Sequence, residues 1–292
     1  MGRFGIALLA AATVLVAASA RAQSEQRVQR VLAPTVFSAH ALPANAITGF
    51  IVSCRSGYVA TSGGVARPAQ GVTLVAITPV GDRAYRFRFG NPVGNGRKRV
   101  TVAVACRRLS GGASYKLRLA LPRPLRLTAS AGKTAGAGFA CPSGTVPVGA
   151  GADLDPGRSF HAYRGGLRLS IRRETSTLSR FSVSVQNAGS RARTVVLYGS
   201  CVTLARAKGA PRLRLHVEVS TFTAAVGAAN QTFARRCRRG WFSLAAGFAA
   251  RSRLTRVEGA IAVGAGGRWT AANDADTSAP VGLQLTCARL GP

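Results

Sequence analysis

Acidic residues and histidine are scarce in this chain. Its 292 residues include 9 Asp and Glu and 3 His against 40 Lys and Arg, so the formal net charge is +31. General acid–base catalysis and metal binding depend largely on carboxylate and imidazole groups, and few residues here can serve either purpose. The sequence therefore predicts a protein that is not an enzyme and that carries no metal or other cofactor.

The chain is nevertheless not short of apolar residues. Hydrophobic residues make up 47% of it, with 34 Gly and 13 Pro. This composition is typical of a packed globular chain and excludes both a disordered polybasic tail and a collagen. The length favours two or three domains.

A long uncharged apolar run occurs at the N-terminus. Arg3 precedes it, the run extends from Phe4 to Ala20, and the small-residue triplet Ala20-Arg21-Ala22 follows. This order is typical of a secretory signal peptide over residues 1–22, with the mature chain starting near Gln23. A membrane anchor is the alternative, although the run is slightly short for one. No later stretch approaches the roughly 20 apolar residues of a membrane helix, so we expect a secreted, extracellular or envelope-associated protein without a membrane span.

Six cysteines divide the chain into three comparable parts. They form the pairs Cys54 and Cys106, Cys141 and Cys201, and Cys237 and Cys287. Six cysteines allow 15 connectivities, but bridges within each pair treat the three parts alike, and disulfides persist in exported proteins. Each bridge would stabilise its part by about 4 kcal/mol on the chain-entropy model. Zinc is the alternative, but C-x2-C pairs are absent and the histidines have no ligand spacing.

Other landmarks recur in the same order in each part. The pattern C-x2-G-x5-[GA]-G starts at the first cysteine, an apolar-x-apolar-x-Asn run follows, and C-x2-L closes the part. The positions that recur in all three copies are Gly57, Gly144 and Gly240; Gly64, Gly151 and Gly247; Asn91, Asn187 and Asn273; and Leu109, Leu204 and Leu290. Such self-similarity indicates a repeat architecture. After the signal peptide we predict an N-terminal segment with the first repeat over residues 23–114, a second repeat over 115–210 and a third over 211–292.

Apolar and polar residues alternate through most segments. Examples are the runs 85–89, 100–104, 167–171 and 213–219, and clusters of Gly, Pro, Asn and Asp interrupt the chain every eight to twelve residues. This pattern predicts an all-β protein of three homologous, disulfide-linked antiparallel β units with about six strands each. The units form either small sandwiches in tandem or a prism-like body with pseudo-threefold symmetry.

The run Cys141-Pro-Ser-Gly144, with a Gly-rich strand and a late Asn and Cys after it, resembles C-P-x-G repeats of exported bacterial proteins that have no named family of known function. The three Gly-punctuated units are also similar to β-prism proteins of the vitelline membrane outer layer type. Only the second copy has Pro142, and the acidic loops of the prism proteins are missing. Neither resemblance implies a functional residue.

Arginine supplies nearly all of the positive charge, and it alternates with apolar residues in several predicted strands. Guanidinium groups bind phosphate, sulfate and carboxylate groups in a bidentate manner. The candidate anion-binding residues are Arg86, Arg88, Arg168, Arg172, Arg212, Arg214, Arg235, Arg236, Arg238 and Arg239. The expected partners are an anionic polysaccharide, a cell-wall polymer or nucleic acid, bound without sequence specificity. Solvated strand faces in a coding sequence rich in Arg codons are the alternative.

Four other patterns match known functional motifs but lack part of what each function requires. The arginines around Cys237 would activate a free thiol, but its place in the repeat favours a half-cystine. Ser130-x-x-Lys133 matches a motif of penicillin-recognising enzymes whose partner motifs are absent. Calcium loops lack their closing Glu, so turns explain the relevant polar residues better. Those residues are Asp153, Asp155, Asn273, Asp274 and Asp276. Asn230-Gln-Thr232 is a glycosylation site only in a glycosylating host.

The histidines His40, His161 and His216 have no matching nucleophile in the sequence, and alternation predicts that His216 faces solvent. We therefore expect a secreted, non-enzymatic, strongly basic β-repeat protein that attaches to anionic polymers or to the cell envelope. A structural envelope or extracellular protein with incidental charge is the alternative. A hydrolase that uses His161 and Asp153 between units is less favoured.

Overall fold

The computed structural model describes residues 31–92, 96–110, 115–154, 167–173, 180–187, 190–210, 213–227, 231–250, 255–273 and 278–291. These residues form twenty strands and no helix, which confirms the prediction of an all-β protein. Within this part of the chain, no helix long and apolar enough to cross a membrane occurs. Several predictions concern residues outside these ranges: the signal peptide, Arg212, His161, Asp155, Asp274, Asp276 and the start of the Asn230 triplet.

The first unit is a sandwich of two antiparallel sheets. Its strands are β1 (Val31–Leu32), β2 (Thr35–Leu42), β3 (Ala46–Ser53), β4 (Val59–Arg67), β5 (Thr73–Val80), β6 (Ala84–Asn91) and β7 (Lys98–Leu109). In one sheet, β7 pairs with β4 on one side and with β1 and β2 on the other. Within this unit the second sheet has the order β3-β6-β5, and beyond β5 it continues into the second unit as one seven-stranded sheet. Alternation explains the packing, because Phe87 and Phe89 of β6 are buried while Arg86 is exposed.

The second unit repeats this plan. Its strands are β8 (Tyr115–Ala120), β9 (Leu125–Ala129), β10 (Thr134–Ala140), β11 (Val146–Leu154), β12 (Leu167–Arg173), β13 (Arg180–Asn187) and β14 (Arg193–Arg206). Strand β14 pairs with β8, β9 and β11, and the other sheet has the order β10-β13-β12.

The third unit differs only in that one long strand replaces the first two. Its strands are β15 (Arg214–Val226), β16 (Gln231–Arg236), β17 (Phe242–Ala250), β18 (Thr255–Val263), β19 (Gly266–Asn273) and β20 (Ala279–Gly291). Strand β20 pairs with β15 and β17, and the other sheet has the order β16-β19-β18. The three units therefore share one topology, as the repeated landmarks predict.

The three disulfides lie within the units and follow the predicted pairing. They join Cys54 to Cys106, Cys141 to Cys201 and Cys237 to Cys287, with Cα–Cα distances of 5.7, 5.8 and 5.7 Å. In the first two units the cysteine that follows the third strand is linked to the last strand, and in the third unit the cysteine that follows the second strand, β16, is linked to the last strand. Each bridge consequently ties the two sheets of its sandwich together.

The three units close into one body around a pseudo-threefold axis. Strand β5 of the first unit pairs with β11 of the second, with Ile77 opposite Ala152. Strand β12 of the second unit packs against β17 of the third, and β18 of the third packs against β4 of the first. Each unit therefore contacts the next in a ring, which decides between the tandem and prism-like arrangements in favour of a closed body.

The last glycine of the recurring C-x2-G-x5-[GA]-G pattern makes this closure possible. A Cβ on Gly64 of β4 would lie 2.0 Å from the carbonyl oxygen of Ala260 in β18. A Cβ on Gly151 of β11 would lie 2.1 Å from the carbonyl oxygen of Ile77 in β5. Because a side chain at either position would collide with the backbone of the neighbouring unit, the ring requires glycine there.

The recurring leucines and asparagines also have structural roles. Leu109, Leu204 and Leu290 of the C-x2-L motifs belong to one apolar cluster to which all three units contribute. Asn91 is fully buried, and its Nδ2 donates to the carbonyl oxygens of Leu42, Pro43 and Gly96. In the second unit, Asn187 donates in the same way to the carbonyl oxygens of Ala129, Ser130 and Arg191. In each of these two units the asparagine therefore fastens two turns of its sandwich to each other.

Candidate anion-binding cleft

A cleft of about 570 Å³ opens between the first and second units. The first unit contributes Ser56–Val59 before and at the start of β4, the turn Asp82-Arg83 between β5 and β6, and Arg108-Leu109 at the end of β7. The second unit contributes Tyr115–Arg118 at the start of β8. This volume lies within the range of ordinary ligand sites.

Positive charge dominates the cleft. Arg83, Arg108, Lys116 and Arg118 line it, and all four side chains are exposed. Among the described residues that line the cleft, Asp82 is the one carboxylate. Its Oδ1 lies 3.8 Å from Nε of Arg83, and the two side chains are 65% and 51% exposed, so solvent screens this pair. The cleft therefore offers an excess of cationic groups to an anion.

Backbone hydrogen bonds hold the turn that carries Arg83. The amide of Cys54 donates to the carbonyl oxygen of Arg83 over 2.8 Å, and the amide of Ala60 donates to that of Asp82 over 2.9 Å. The turn is thereby attached to the segment around the first disulfide. Its charged side chains are therefore presented by a turn whose backbone is hydrogen-bonded to the sandwich.

Strand alternation positions the cations of the second unit. Tyr115 and Leu117 of β8 are buried in the apolar cluster around the axis, whereas Lys116 and Arg118 are exposed. Successive side chains of a strand point to opposite faces. Burial of the two apolar residues therefore leaves the two cations exposed, and both of them line the cleft.

Arg108 is held against an aromatic ring. Its Cζ lies 5.8 Å from the centroid of the Tyr58 ring. Its side chain also passes close to Gly57, since a Cβ built on that glycine would lie 3.7 Å from Cδ of Arg108. The same arrangement recurs in the third unit, where Cζ of Arg289 lies 5.3 Å from the centroid of a Trp241 ring. Such cation–π contacts restrain a guanidinium without neutralising it.

Those predicted arginines whose side chains the structure describes do not line this cleft. On β6, Arg86 is exposed, whereas Arg88 is half-buried with its Nη1 3.2 Å from Oδ1 of Asp153. The prediction of a turn at Asp153 is wrong, because this residue lies within β11, where its carboxylate pairs with Arg88. Burial raises the pKa of the nearby Tyr198, as does the charge of Asp153. Arg168 and Arg172 lie in β12, and their side chains are outside the described part of the structure.

The remaining predicted arginines lie in the third unit. Arg214 is exposed on β15, and the cluster around Cys237 is exposed as well. That cluster consists of Arg235 and Arg236 at the end of β16, and Arg238 and Arg239 in the turn that follows. Nη2 of Arg238 lies 3.3 Å from Oε1 of Glu218. Because Cys237 is in a disulfide, the cluster activates no thiol there.

Sequence reasoning missed the cations that the structure brings together. Arg83 lies in a turn, Arg108 follows the second cysteine, and Lys116 and Arg118 open the second repeat. Arg83 is distant in sequence from the other three, and no single periodicity links the turn, the end of β7 and the start of β8. One usable signal was the concentration of cations on both sides of the boundary between the first and second repeats.

The other candidate residues have structural environments. The amide of Lys133 donates to the carbonyl oxygen of Ser130 over 3.1 Å, so the S-x-x-K match forms a turn rather than the start of a helix. His40 stacks on Phe50 with ring centroids 3.5 Å apart, and burial lowers its pKa. His216 is half-buried in β15 rather than fully solvent-facing. Within the described ranges, no group of three His, Cys, Asp or Glu residues could hold a metal ion.

A second cavity lies on the pseudo-threefold axis. It measures about 30 Å³ and is lined by the inner strands of all three units, including Ser62, Gly149 and Thr286. A cavity of this size holds one or two water molecules rather than a ligand. The cleft between the first and second units is therefore the better candidate for a binding site.

Comparison with known proteins gives no family. No protein-family model and no curated protein sequence matches this chain. The chain is similar to a solved structure described as "The Triple Jelly Roll Fold and Turret Assembly in an Archaeal Virus", with 8% sequence identity, 90% of each chain covered and a TM-score of 0.22. A TM-score this low does not establish shared topology, and the fold described above rests on its own strand pairing.

Proposed function

We propose that this protein is exported and attaches to anionic polymers of the cell envelope or its surroundings, without catalysing a reaction. The observation that carries this proposal is the cleft, which Arg83, Arg108, Lys116 and Arg118 line and in which Asp82 is the one carboxylate among the described lining residues. The signal-like N-terminus and the three disulfides support export, since disulfides persist outside the cytosol.

The electrostatics of the cleft favour a polyanion over a lone anion. Guanidinium groups keep their charge across the physiological pH range and bind carboxylate, sulfate or phosphate through paired donors. Several such contacts on one chain add together, because the first contact holds the remaining anions nearby. The high net charge of the chain raises the rate at which a polyanion reaches the cleft.

The test compares two variants of equal charge on columns of immobilised heparin and DNA. The cleft variant replaces Arg83, Arg108, Lys116 and Arg118 by Gln. The control variant replaces the exposed residues Arg86, Arg214, Arg236 and Arg239 by Gln. We expect the cleft variant to elute at a clearly lower salt concentration than the control. No retention of the unaltered protein at low salt would overturn the proposal.

A structural role in the envelope, with incidental charge, is the second candidate. The closed ring of units, each with its own disulfide, supports it. On this account, equal losses of charge have equal effects wherever they are made. Identical elution of the two variants would therefore favour the structural role.

A further inference from the structure

We infer that the cleft binds a single chain of an acidic polysaccharide, that is, a polymer of uronate or sulfated sugars, rather than nucleic acid. This inference rests on the proposed function and specifies the ligand class of the same cleft. It follows from the size of the cleft, from its aromatic residues and from its mixture of charged and neutral polar groups.

The size of the cleft excludes a double helix. Its volume of about 570 Å³ accommodates a small ligand or a short segment of a single chain. The major groove of B-DNA alone is about 12 Å wide, so a duplex would meet only the rim of such a cleft. A single polymer chain can instead place successive anions against cations on both walls.

The aromatic residues of the cleft offer little stacking surface for bases. Proteins that bind single-stranded nucleic acid without sequence preference use aromatic rings with open faces. Here, the guanidinium of Arg108 lies over one face of the half-buried Tyr58 ring, 5.8 Å from its centroid. Tyr115, the other aromatic residue that lines the cleft, is only 5% exposed. A ligand without bases therefore fits this cleft better than a polynucleotide.

The polar groups match a chain in which hydroxyl groups alternate with anions. The exposed side chains of Ser56 and Asp82 line the cleft between its cations. A carboxylate accepts hydrogen bonds from sugar hydroxyls but repels a phosphate or sulfate placed directly against it. Asp82 therefore favours a polymer whose charges are separated by neutral hydroxyl groups.

The cationic set belongs to one junction and is not a property of every repeat. In the third unit, the amides of Cys237 and Ser243 donate to the carbonyl oxygens of Ala265 and Gly264. In the first unit, the equivalent amides of Cys54 and Ala60 donate to the carbonyl oxygens of Arg83 and Asp82. Ala265 and Gly264 therefore occupy the positions in the third unit that Arg83 and Asp82 occupy in the first. The third unit thus has uncharged residues in this turn, whereas the first unit places charged residues there, beside the cleft.

The test measures affinity for three fluorescent oligomers of matched charge: a heparin oligosaccharide, an oligogalacturonate and oligo-dT. The proteins are the unaltered mature chain, R108Q/R118Q and the control R236Q/R239Q, all purified with their disulfides intact and compared by circular dichroism. Near 0.15 M salt we expect the unaltered protein to bind at least one acidic saccharide about tenfold more tightly than oligo-dT. We expect R108Q/R118Q to lose at least tenfold in that affinity, since each lost charged hydrogen bond corresponds to roughly tenfold or more.

The outcomes separate the two proposals. Equal or tighter binding of oligo-dT, with a loss in R108Q/R118Q, would overturn the assignment to polysaccharide and leave attachment to polyanions in place. Equal losses in R108Q/R118Q and R236Q/R239Q would overturn the cleft as the binding site. Absence of binding to all three oligomers would overturn the proposed function itself. The single variant R83Q tests the cleft independently, because the Arg83 side chain lies in a turn held by backbone hydrogen bonds. Weaker saccharide binding than that of the unaltered protein is expected, and unchanged binding would overturn the cleft as the binding site.

Discussion

The guanidinium of Arg107 in the first unit donates to Ser243 in the third, with its Nη2 3.1 Å from the Ser243 Oγ and its Nε 2.5 Å from the Ser243 carbonyl oxygen. Its Nη1 donates to the carbonyl oxygens of Pro34 and Cys106. The side chain is fully buried, and all of these partners are neutral. Arg107 therefore joins the last unit of the ring to the first through hydrogen bonds alone.

Replacement of Arg107 by Lys should weaken this junction. An ammonium group keeps the charge but cannot reach Ser243 and Pro34 with the fork geometry of a guanidinium. We expect the free energy of unfolding to fall by about 2 kcal/mol or more, as measured by denaturant titration of the oxidised protein. The neighbouring exposed Arg108 provides the control, and R108K should change stability by less than about 0.5 kcal/mol. Equal stability of the two variants would contradict this role.

Arg107 also makes stability depend on pH in the alkaline range. Burial lowers the pKa of Arg107 from the ordinary value of arginine to about 9. Between this lowered pKa and the ordinary one, the unfolded chain holds a proton that the folded chain has released. The free energy of unfolding of the unaltered protein should therefore rise with pH relative to R107M, by at most about 1.4 kcal/mol per pH unit. Unfolding titrations of both proteins at pH 8 and pH 10.5 measure this, and a difference that does not change with pH would contradict the effect.

Closure of the ring can be tested at Gly64. In G64A, the new methyl group would collide with the Ala260 carbonyl oxygen of the third unit, so the two units must move apart. We expect a loss of about 3 kcal/mol or more in the free energy of unfolding. The control is G138A in β10, where a Cβ would have no neighbouring atom within 4 Å. Thermal unfolding of both variants decides the matter, and equal melting temperatures would show that the units do not close as described.

The third disulfide should stabilise its unit chiefly by restricting the unfolded chain. Cys237 and Cys287 are 50 residues apart in sequence. Replacing both by Ala should lower the free energy of unfolding by about 4 kcal/mol. Denaturant unfolding without reducing agent measures this effect. A loss of under about 1 kcal/mol would mean that the packing of β20 between its two partner strands is sufficient without the bridge.

Much of the fold could be predicted from local sequence patterns. Alternation identified strands such as β6, where Phe87 is buried and Arg86 is exposed. The recurring cysteines predicted the bridges, because each bridge repeats at the same place in every unit. The recurrence of glycine at the position of Gly64 indicated that this position requires glycine. The reason is the approach of Ala260 from another unit, a contact between residues almost two hundred positions apart in sequence. Periodicity within a segment contains no information about such a contact.

The candidate site was less accessible to sequence reasoning for the same reason. Alternation favoured the arginines of the strands as anion-binding residues, yet one of them, Arg88, is paired with Asp153 on a strand of the neighbouring unit. The cleft instead combines a turn residue, Arg83, with Arg108 and with cations of β8. Only the folded arrangement of the first two units brings these groups together.

The salt dependence of binding to an acidic polysaccharide tests the central claim most directly. The measurement is the association constant for a heparin oligosaccharide at several salt concentrations, for the unaltered protein and for the two charge-matched fourfold variants described above. If the four cleft cations contact the polymer, the slope of log K against log salt should become shallower by about 3 in the cleft variant and stay nearly unchanged in the control. Equal slopes for the two variants would contradict the assignment of binding to the cleft between the first and second units.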